Sequence, residues 1–165
     1  MTAPFSIEPI TPDDVEGLRA AVGAVARERR YLAAVDGFGA DGTRAFVDGL
    51  ARGGGVQLVV RSEGRVVGWC DVQRHAFEGF RHGGVLGIGL LPEWRARKVG
   101  AALLARTLEA AGATGMTRVE LEVFASNTRA IRLFERAGFV REGVKRRARL
   151  LDGRADDVVC MARLT

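Results

Sequence analysis

Hydrophobic and polar positions change period repeatedly along the chain, and each period predicts an element. Phe5 to Ile10 alternates apolar and polar residues as a half-buried first strand does. Thr11-Pro12-Asp13-Asp14 carries helix-start chemistry: a threonine N-cap, a proline in the first turn and acids at the positive dipole end. The helix runs to about Arg30, with Val15, Leu18, Ala21, Val22 and Val25 on one face. Tyr31 to Gly42 reads as loop. A second helix spans Thr43 to Arg52, turns Phe46, Val47 and Leu50 inward, and stops at Gly53-Gly54-Gly55.

Val56–Arg61 and Arg65–Val72 form a hairpin around Glu63-Gly64. His75 to Gly84 is a connection. Val85 to Leu91 is nearly unbroken in apolar residues, which predicts a central strand covered on both faces. A third helix follows from Lys98 to Ala113, with Leu103, Leu104, Leu108 and Ala111 as its inner stripe. Thr117 to Phe124 alternates cleanly, with Val119, Leu121 and Val123 on one face and Arg118, Glu120 and Glu122 on the other. Asn127 opens a short helix to about Ala137, and Gly138 caps it. Phe139–Leu150 and Ala155–Arg163 pair around Leu151-Asp152-Gly153-Arg154. Seven strands and four helices in the order βααβββαβαββ predict an α/β fold, one mixed sheet flanked by helices, in a single domain over 1–165.

Size and charge narrow the class. The 165 residues are 47% hydrophobic and 27% charged, as expected of a globular chain with a full core. No apolar run approaches the ~20 residues of a membrane span. Met1 to Phe5 has neither the basic start nor the apolar stretch of a signal peptide, so the expected place is the cytoplasm and no membrane partner is expected. Cys70 and Cys160 lie far apart in strand-like runs and read as reduced core thiols. His75 and His82 have no ligand spacing, and no metal is expected. The formal charge of +5 is nearly all arginine; Lys98 and Lys145 are the only lysines. Acids are interspersed with the arginines, and the Lys145–Arg149 cluster alternates as a solvated strand face does, so no nucleic-acid partner is expected.

The stretch from Leu86 to Leu104 carries the chemistry. An apolar strand ends at Pro92, a basic turn follows, and Gly100 stands where a helix begins. The first helical N–H groups lack intrahelical acceptors and the dipole adds positive charge, so this junction is built to hold an anion, a phosphate or pyrophosphate. Gly100 lets a ligand approach the backbone.

Two motifs here resemble the Gcn5-related N-acetyltransferases, the GNAT family. Its phosphate turn, Gln/Arg-x-x-Gly-x-Gly/Ala, is matched by Arg95-Ala96-Arg97-Lys98-Val99-Gly100. Its downstream signature, Leu-x-Val-x-x-x-Asn-x-x-Ala-x-x-Leu-Tyr-x-x-x-Gly-Phe, is matched from Leu121 through Asn127, Ala130 and Leu133 to Gly138-Phe139. The tail from Arg141 to Met161 is similar to bacterial acetyltransferases of free L-amino acids and of protein N-termini. Lys98 replaces the first glycine of the turn, and Phe134 replaces the tyrosine that many relatives use to protonate the leaving thiolate.

The resemblance implies a mostly antiparallel seven-stranded sheet with a splay between strands 4 and 5, acetyl-coenzyme A as co-substrate, and transfer of acetyl to an amine. The backbone of Gly89, Leu90 and Leu91 would pair with the pantetheine arm. Arg95, Ala96, Arg97, Lys98, Val99, Gly100 and Ala101 would hold the pyrophosphate, and Asn127, Ala130 and Phe134 would line the same site. Asn127 serves as N-cap, as a pantetheine partner, or as both. Glu122 fits two readings, a general base or a solvent-facing carboxylate, and Glu78 is the reserve base. Tyr31, the only tyrosine, stands in the acceptor-side loop as a pocket aromatic or as the missing phenol. The implied acceptor is a small-molecule amine such as an amino acid; a protein N-terminus and a coenzyme-binding sensor are the competing readings. Many relatives pair as homodimers, which leaves that state open here.

Overall fold

A computed structural model describes residues 3–165; Met1 and Thr2 of the N-terminal segment lie outside the described residues. The strands are β1 (Ser6–Pro9), β2 (Val56–Ser62), β3 (Arg65–Arg74), β4 (Gly83–Leu90), β5 (Arg118–Phe124), β6 (Val140–Leu151) and β7 (Arg154–Leu164). The helices are α1 (Val15–Arg27), α2 (Ala40–Arg52), α3 (Val99–Ala113) and α4 (Thr128–Arg136). The strand order is β1-β2-β3-β4-β5-β7-β6. Every neighbouring pair is antiparallel except β4 and β5.

Side-chain alternation sorts the sheet into two apolar faces. Cys70 points to α3, where its buried thiol meets Thr107. Trp69 and Asp71, one residue to either side, therefore point to the opposite face, which α1 and α2 cover. Val99, Leu103, Leu104, Leu108 and Ala111 of α3 are buried on one side of the sheet; Leu18, Ala21 and Val25 of α1 are buried on the other. Among the described residues no helix is long and apolar enough to cross a membrane.

Four local expectations change. The first helix ends at Arg27, not Arg30, because Arg29 takes a left-handed φ of 58°. Thr11 to Asp14 forms a capped 3-10 turn before the helix proper. The second helix begins at Ala40, and Phe46 is 43% exposed while Thr43 is buried, so the inward face is carried by Thr43 and Leu50. The central strand is not covered on both faces: Val85 is exposed, and Gly87 to Leu90 are only half-buried. Its apolar run comes from a different cause, described below.

One buried ion pair ties the first helix to the sheet. Thr11 donates its N–H (2.7 Å) and its hydroxyl (2.8 Å) to Asp14 Oδ2. Arg61 of β2 grips the same carboxylate through Nε (2.7 Å to Oδ1) and a second guanidinium nitrogen. Hydrogen bonds from Arg61 hold the Asp14 carboxyl down at about 2, against an ordinary value of 3.8. A carboxylate depressed in the fold stabilises it above its unfolded value and loses that effect as pH falls through the folded one. Asp14→Asn is therefore expected to lower Tm at pH 7, with the deficit shrinking from about pH 4 and gone at pH 2 and below; thermal melts across that range check it.

Candidate active site

The parallel pairing of β4 with β5 covers only Gly83–Val85 against Arg118–Glu120. Beyond Val85 the strands part, while β4 stays paired with β3 as far as Leu90 and β5 with β7 as far as Phe124. A wedge opens between them, and a cleft of about 410 Å³ runs through it. Ile88, Gly89 and Leu90 line one side, the N-terminus of α3 one end, Asn127, Ala130 and Leu133 of α4 the other side, and Val25 and Tyr31 the α1 side. The apolar run in β4 is thus a strand with one edge bare.

Ladder parity decides which main-chain groups are bare. Leu91 donates its N–H to Val67 O at 2.9 Å, so it faces β3. In an antiparallel ladder alternate residues face the same partner. Gly89 is thereby committed to β3 as well, and the N–H and C=O groups of Ile88 and Leu90 face the wedge. This corrects the expectation for Gly89 and Leu91; only Leu90 of that trio presents its backbone, and Ile88 joins it.

The turn from Arg95 to Lys98 is a nest of amides. Ala96 and Lys98 adopt left-handed φ values of 60° and 62°. Lys98 is the N-cap of α3, with its carbonyl accepting from Ala102 at 3.2 Å. The six consecutive N–H groups from Ala96 to Ala101 have no backbone acceptor among the described residues. Alternating backbone handedness points such groups into one concavity, which favours an anion. A methyl at Gly100 would meet only Leu90 Cδ1 (3.4 Å) and Leu133 Cδ2 (3.7 Å), ordinary contacts. Packing does not require glycine there; the space faces the cleft.

A model of the acetyltransferase (GNAT) family matches residues 26–139. The chain belongs to the GNAT acetyltransferase family. The acetyltransferase is 32% identical over 109 residues to the L-amino acid N-acetyltransferase AaaT of Escherichia coli (strain K12), covering 66% of this chain and 67% of that protein. It superposes on an acetyltransferase of the GNAT family from Streptococcus pneumoniae with a TM-score of 0.92 and 26% identity, over 98% of this chain and 100% of that one. It also shares the fold of yncA from Salmonella typhimurium, solved with its cofactor acetyl-CoA (TM-score 0.91, 19% identity, 98% and 94% coverage). The expected seven-stranded mixed sheet, with its break between the fourth and fifth strands, is the architecture found.

The acetyltransferase gathers some of the sequence-chosen residues and leaves others outside. Gly89, Leu90, Arg95, Ala96, Lys98, Gly100, Ala101, Asn127, Ala130 and Tyr31 all border the cleft. Val99 is fully buried, so only its amide faces the turn. Arg97 is exposed and lies over the Trp94 ring, 5.5 Å from its centroid. Arg95 is a clamp: its guanidinium binds Glu28 bidentately (2.8 and 2.5 Å), donates Nε to Leu90 O (3.0 Å) and stacks over Tyr31 at 4.8 Å. It therefore fastens the end of α1 to the wedge instead of pointing into the turn. Asn127 Oδ1 accepts from Ala130 N at 3.2 Å, which leaves its amide NH₂ for the cleft.

Phe134 is 4% exposed and packs on Phe139 at 5.7 Å between centroids, so it sits in the core behind the cleft. Leu133 and Ala130 hold the helix face expected of it, because the face of α4 turned to the wedge falls between those residues. Glu78 lies in a short 3-10 turn just before β4, at the closed end of the wedge. Glu122 stands on β5 past the parting point, exposed and ion-paired with Lys145. Neither glutamate borders the cleft. Reading the sequence alone missed Ile88, Arg129 and Arg136. The two arginines are seven residues apart on α4, a spacing that puts them on one face with Leu133 and that the pattern does contain.

Lys98 in the left-handed region costs about 1 kcal/mol relative to glycine. Lys98→Gly is expected to raise Tm by roughly 2–4 °C. Gly100→Ala is expected to leave Tm unchanged or higher while weakening coenzyme A binding at least about tenfold; calorimetry beside a melt separates the two effects.

Proposed function

We propose that the protein transfers acetyl from acetyl-coenzyme A to the primary amine of a small molecule, an amino acid or a close relative of one. The observation that carries this is the pairing of the bare Ile88–Leu90 edge with the six-amide nest at the start of α3. The two together accommodate an extended amide-bearing arm that ends in a pyrophosphate. The arm adds to β4 as a strand would, with Ile88 and Leu90 as its hydrogen-bond partners and the Asn127 amide opposite. The diphosphate takes the amides from Ala96 to Ala101, helped by the α3 dipole.

That placement fixes the reacting end. An arm running from the nest along β4 toward Val85 brings the thioester to the middle of the wedge, near Gly87 and Ile88. An N–H from the bare edge there can bond the carbonyl oxygen as charge builds on it. The side chains of Val25 and Tyr31 bound the approach of the amine from the α1 side. Phe134 supplies no proton, and its ring is buried, so the leaving thiolate takes its proton from the attacking amine or from water. The amino-acid acceptor is supported by the 32% identity to an L-amino acid N-acetyltransferase.

Thiol release measured with acetyl-coenzyme A and a panel of L-amino acids, polyamines and peptides tests the proposal. Turnover on one or more free amino acids, with peptides poorer by at least about tenfold in kcat/KM, is the expected outcome. Tight coenzyme binding with no turnover on any amine would instead mark a coenzyme-sensing domain, and absence of binding would overturn both.

A further inference from the structure

On the α1 face of the sheet, a row of register partners runs Gln57 (β2), Asp71 (β3), Gly87 (β4). It points across the wedge to Glu122, two residues beyond the Glu120 that pairs with Val85. Asp71 is 8% exposed and its carboxylate accepts no hydrogen bond among the described residues. The side-chain amide of its neighbour Gln57 is buried with neither its nitrogen nor its oxygen partnered. An unpaired carboxylate beside an unpaired amide costs a fold stability, and a core has cheaper solutions. Gly87 shows where the carboxylate is turned. A methyl there would lie 3.4 Å from Asp71 Oδ1 and 3.7 Å from Oδ2. Asp71 thus leans over the one strand that separates it from the wedge, at a position where that strand presents no side chain and is itself only half-buried.

We propose that Asp71 is the carboxylate that receives the acceptor's ammonium group and takes its proton, a role that rests on the acetyltransferase reading above. The ammonium R–NH₃⁺ gives one proton to Asp71 and becomes the neutral nucleophile. Its nitrogen then bonds to the thioester carbonyl carbon and the carbon–sulfur bond breaks. A second proton leaves the nitrogen and ends on the departing sulfur, giving the amide and coenzyme A thiol. Asp71 returns its proton to water through the Gly87 opening, so one proton is released per turnover.

The chemistry of the site suits this step. The charged form of Asp71 has no cationic partner among the described residues: Gln57 is neutral, Gly87 is bare, and the inward residues of α1, Leu18, Ala21 and Val25, are apolar. An incoming cation would meet an uncompensated acceptor. Burial alone pushes the Asp71 carboxyl up to about 7 from 3.8. An amine titrating at about 8 to 10.4 is then one to three units from its base, where an ordinary carboxylate would be four to seven away. Glu122, whose charge Lys145 already neutralises, is the poorer choice.

Asp71→Asn, Gly87→Ala and Glu122→Gln, each compared with wild type, form the test. In wild type kcat/KM should rise through an acid limb near pH 7. Asp71→Asn should lower kcat about 100-fold or more, abolish that limb and leave acetyl-coenzyme A affinity unchanged. Gly87→Ala, which narrows the opening with a methyl in ordinary contact with the carboxylate and leaves the carboxyl itself in place, should lower kcat/KM for the amine with the limb retained. A second readout needs no activity. A carboxyl whose value is raised in the fold loses stability as pH climbs from its unfolded toward its folded value. The Tm of Asp71→Asn should therefore equal or trail wild type at pH 4 and exceed it by several degrees at pH 8. An active wild type whose acid limb survives in Asp71→Asn but vanishes in Glu122→Gln would overturn the assignment in favour of Glu122. Parallel Tm profiles for wild type and Asp71→Asn would overturn it as well. A wild type inactive on every amine would instead sink the acetyltransferase reading, and the role of Asp71 with it.

Discussion

The parting of two parallel strands governs the rest of this molecule. Three residues of β4 pair with β5, and five do not. A strand edge with free N–H and C=O groups inside a protein is costly unless something satisfies it. Here Leu90 O is met by Arg95 Nε at 3.0 Å, and the remaining groups open onto a cleft. The cleft exists because β5 follows β7 rather than β4 beyond Val85, and because α4 wedges its Ala130 and Leu133 face into the gap. The wedge is therefore an unfinished piece of sheet, with backbone groups free to pair with a ligand that carries amides of its own.

Arg95 joins the two halves of that cleft. Its bidentate bond to Glu28 anchors the end of α1, its Nε holds the last residue of β4, and its face carries Tyr31. The pair is well shielded, with side-chain exposures of 19% for Arg95 and 24% for Glu28, so solvent screens it less than a surface pair. A second tie lies further out: Arg29 binds Asp152 at the tip of the β6–β7 hairpin, and Arg149 of the same hairpin donates to Arg29 O. The loop after α1 is held from both sides of the wedge, so the α1-side wall of the cleft is coupled to the end of β4.

Two local features hold conformations that folding alone would not select. Lys98 occupies a left-handed backbone position, and Asp71 is buried without a partner among the described residues. One sits at the nest that borders the cleft, the other behind Gly87, next along β4 to the cleft-lining Ile88. Strain and unsatisfied charge collect where function needs a group poised and uncompensated. The apolar faces of α1 and α3, packed on both sides of the sheet, supply the stability that tolerates them.

Much was legible from the chain alone because it is local. Periods of 2 and 3.6, the Asp152-Gly153 and Glu63-Gly64 turns, and the strand–turn–helix around Gly100 are set by neighbouring residues, and they named the elements, the anion-binding turn and the family. Residues whose place depends on tertiary packing depart from the local pattern. Helical period turns Phe46 inward, yet the helix is rotated so that Thr43 faces in. The motif puts Phe134 at the cleft, yet its ring packs on Phe139. The resemblance gives Gly89 and Leu91 a backbone role that ladder parity assigns to Ile88 and Leu90. Nothing local marks Asp71 in its apolar strand, because its setting is made by Gln57 and Gly87, fourteen and sixteen residues away in the chain and adjacent only through the sheet. Sequence determined what each segment is, since propensity and capping act over a few residues. Tertiary structure alone decided which edge stays bare and which residues stand in register behind it, since both depend on which strands pair and where that pairing stops.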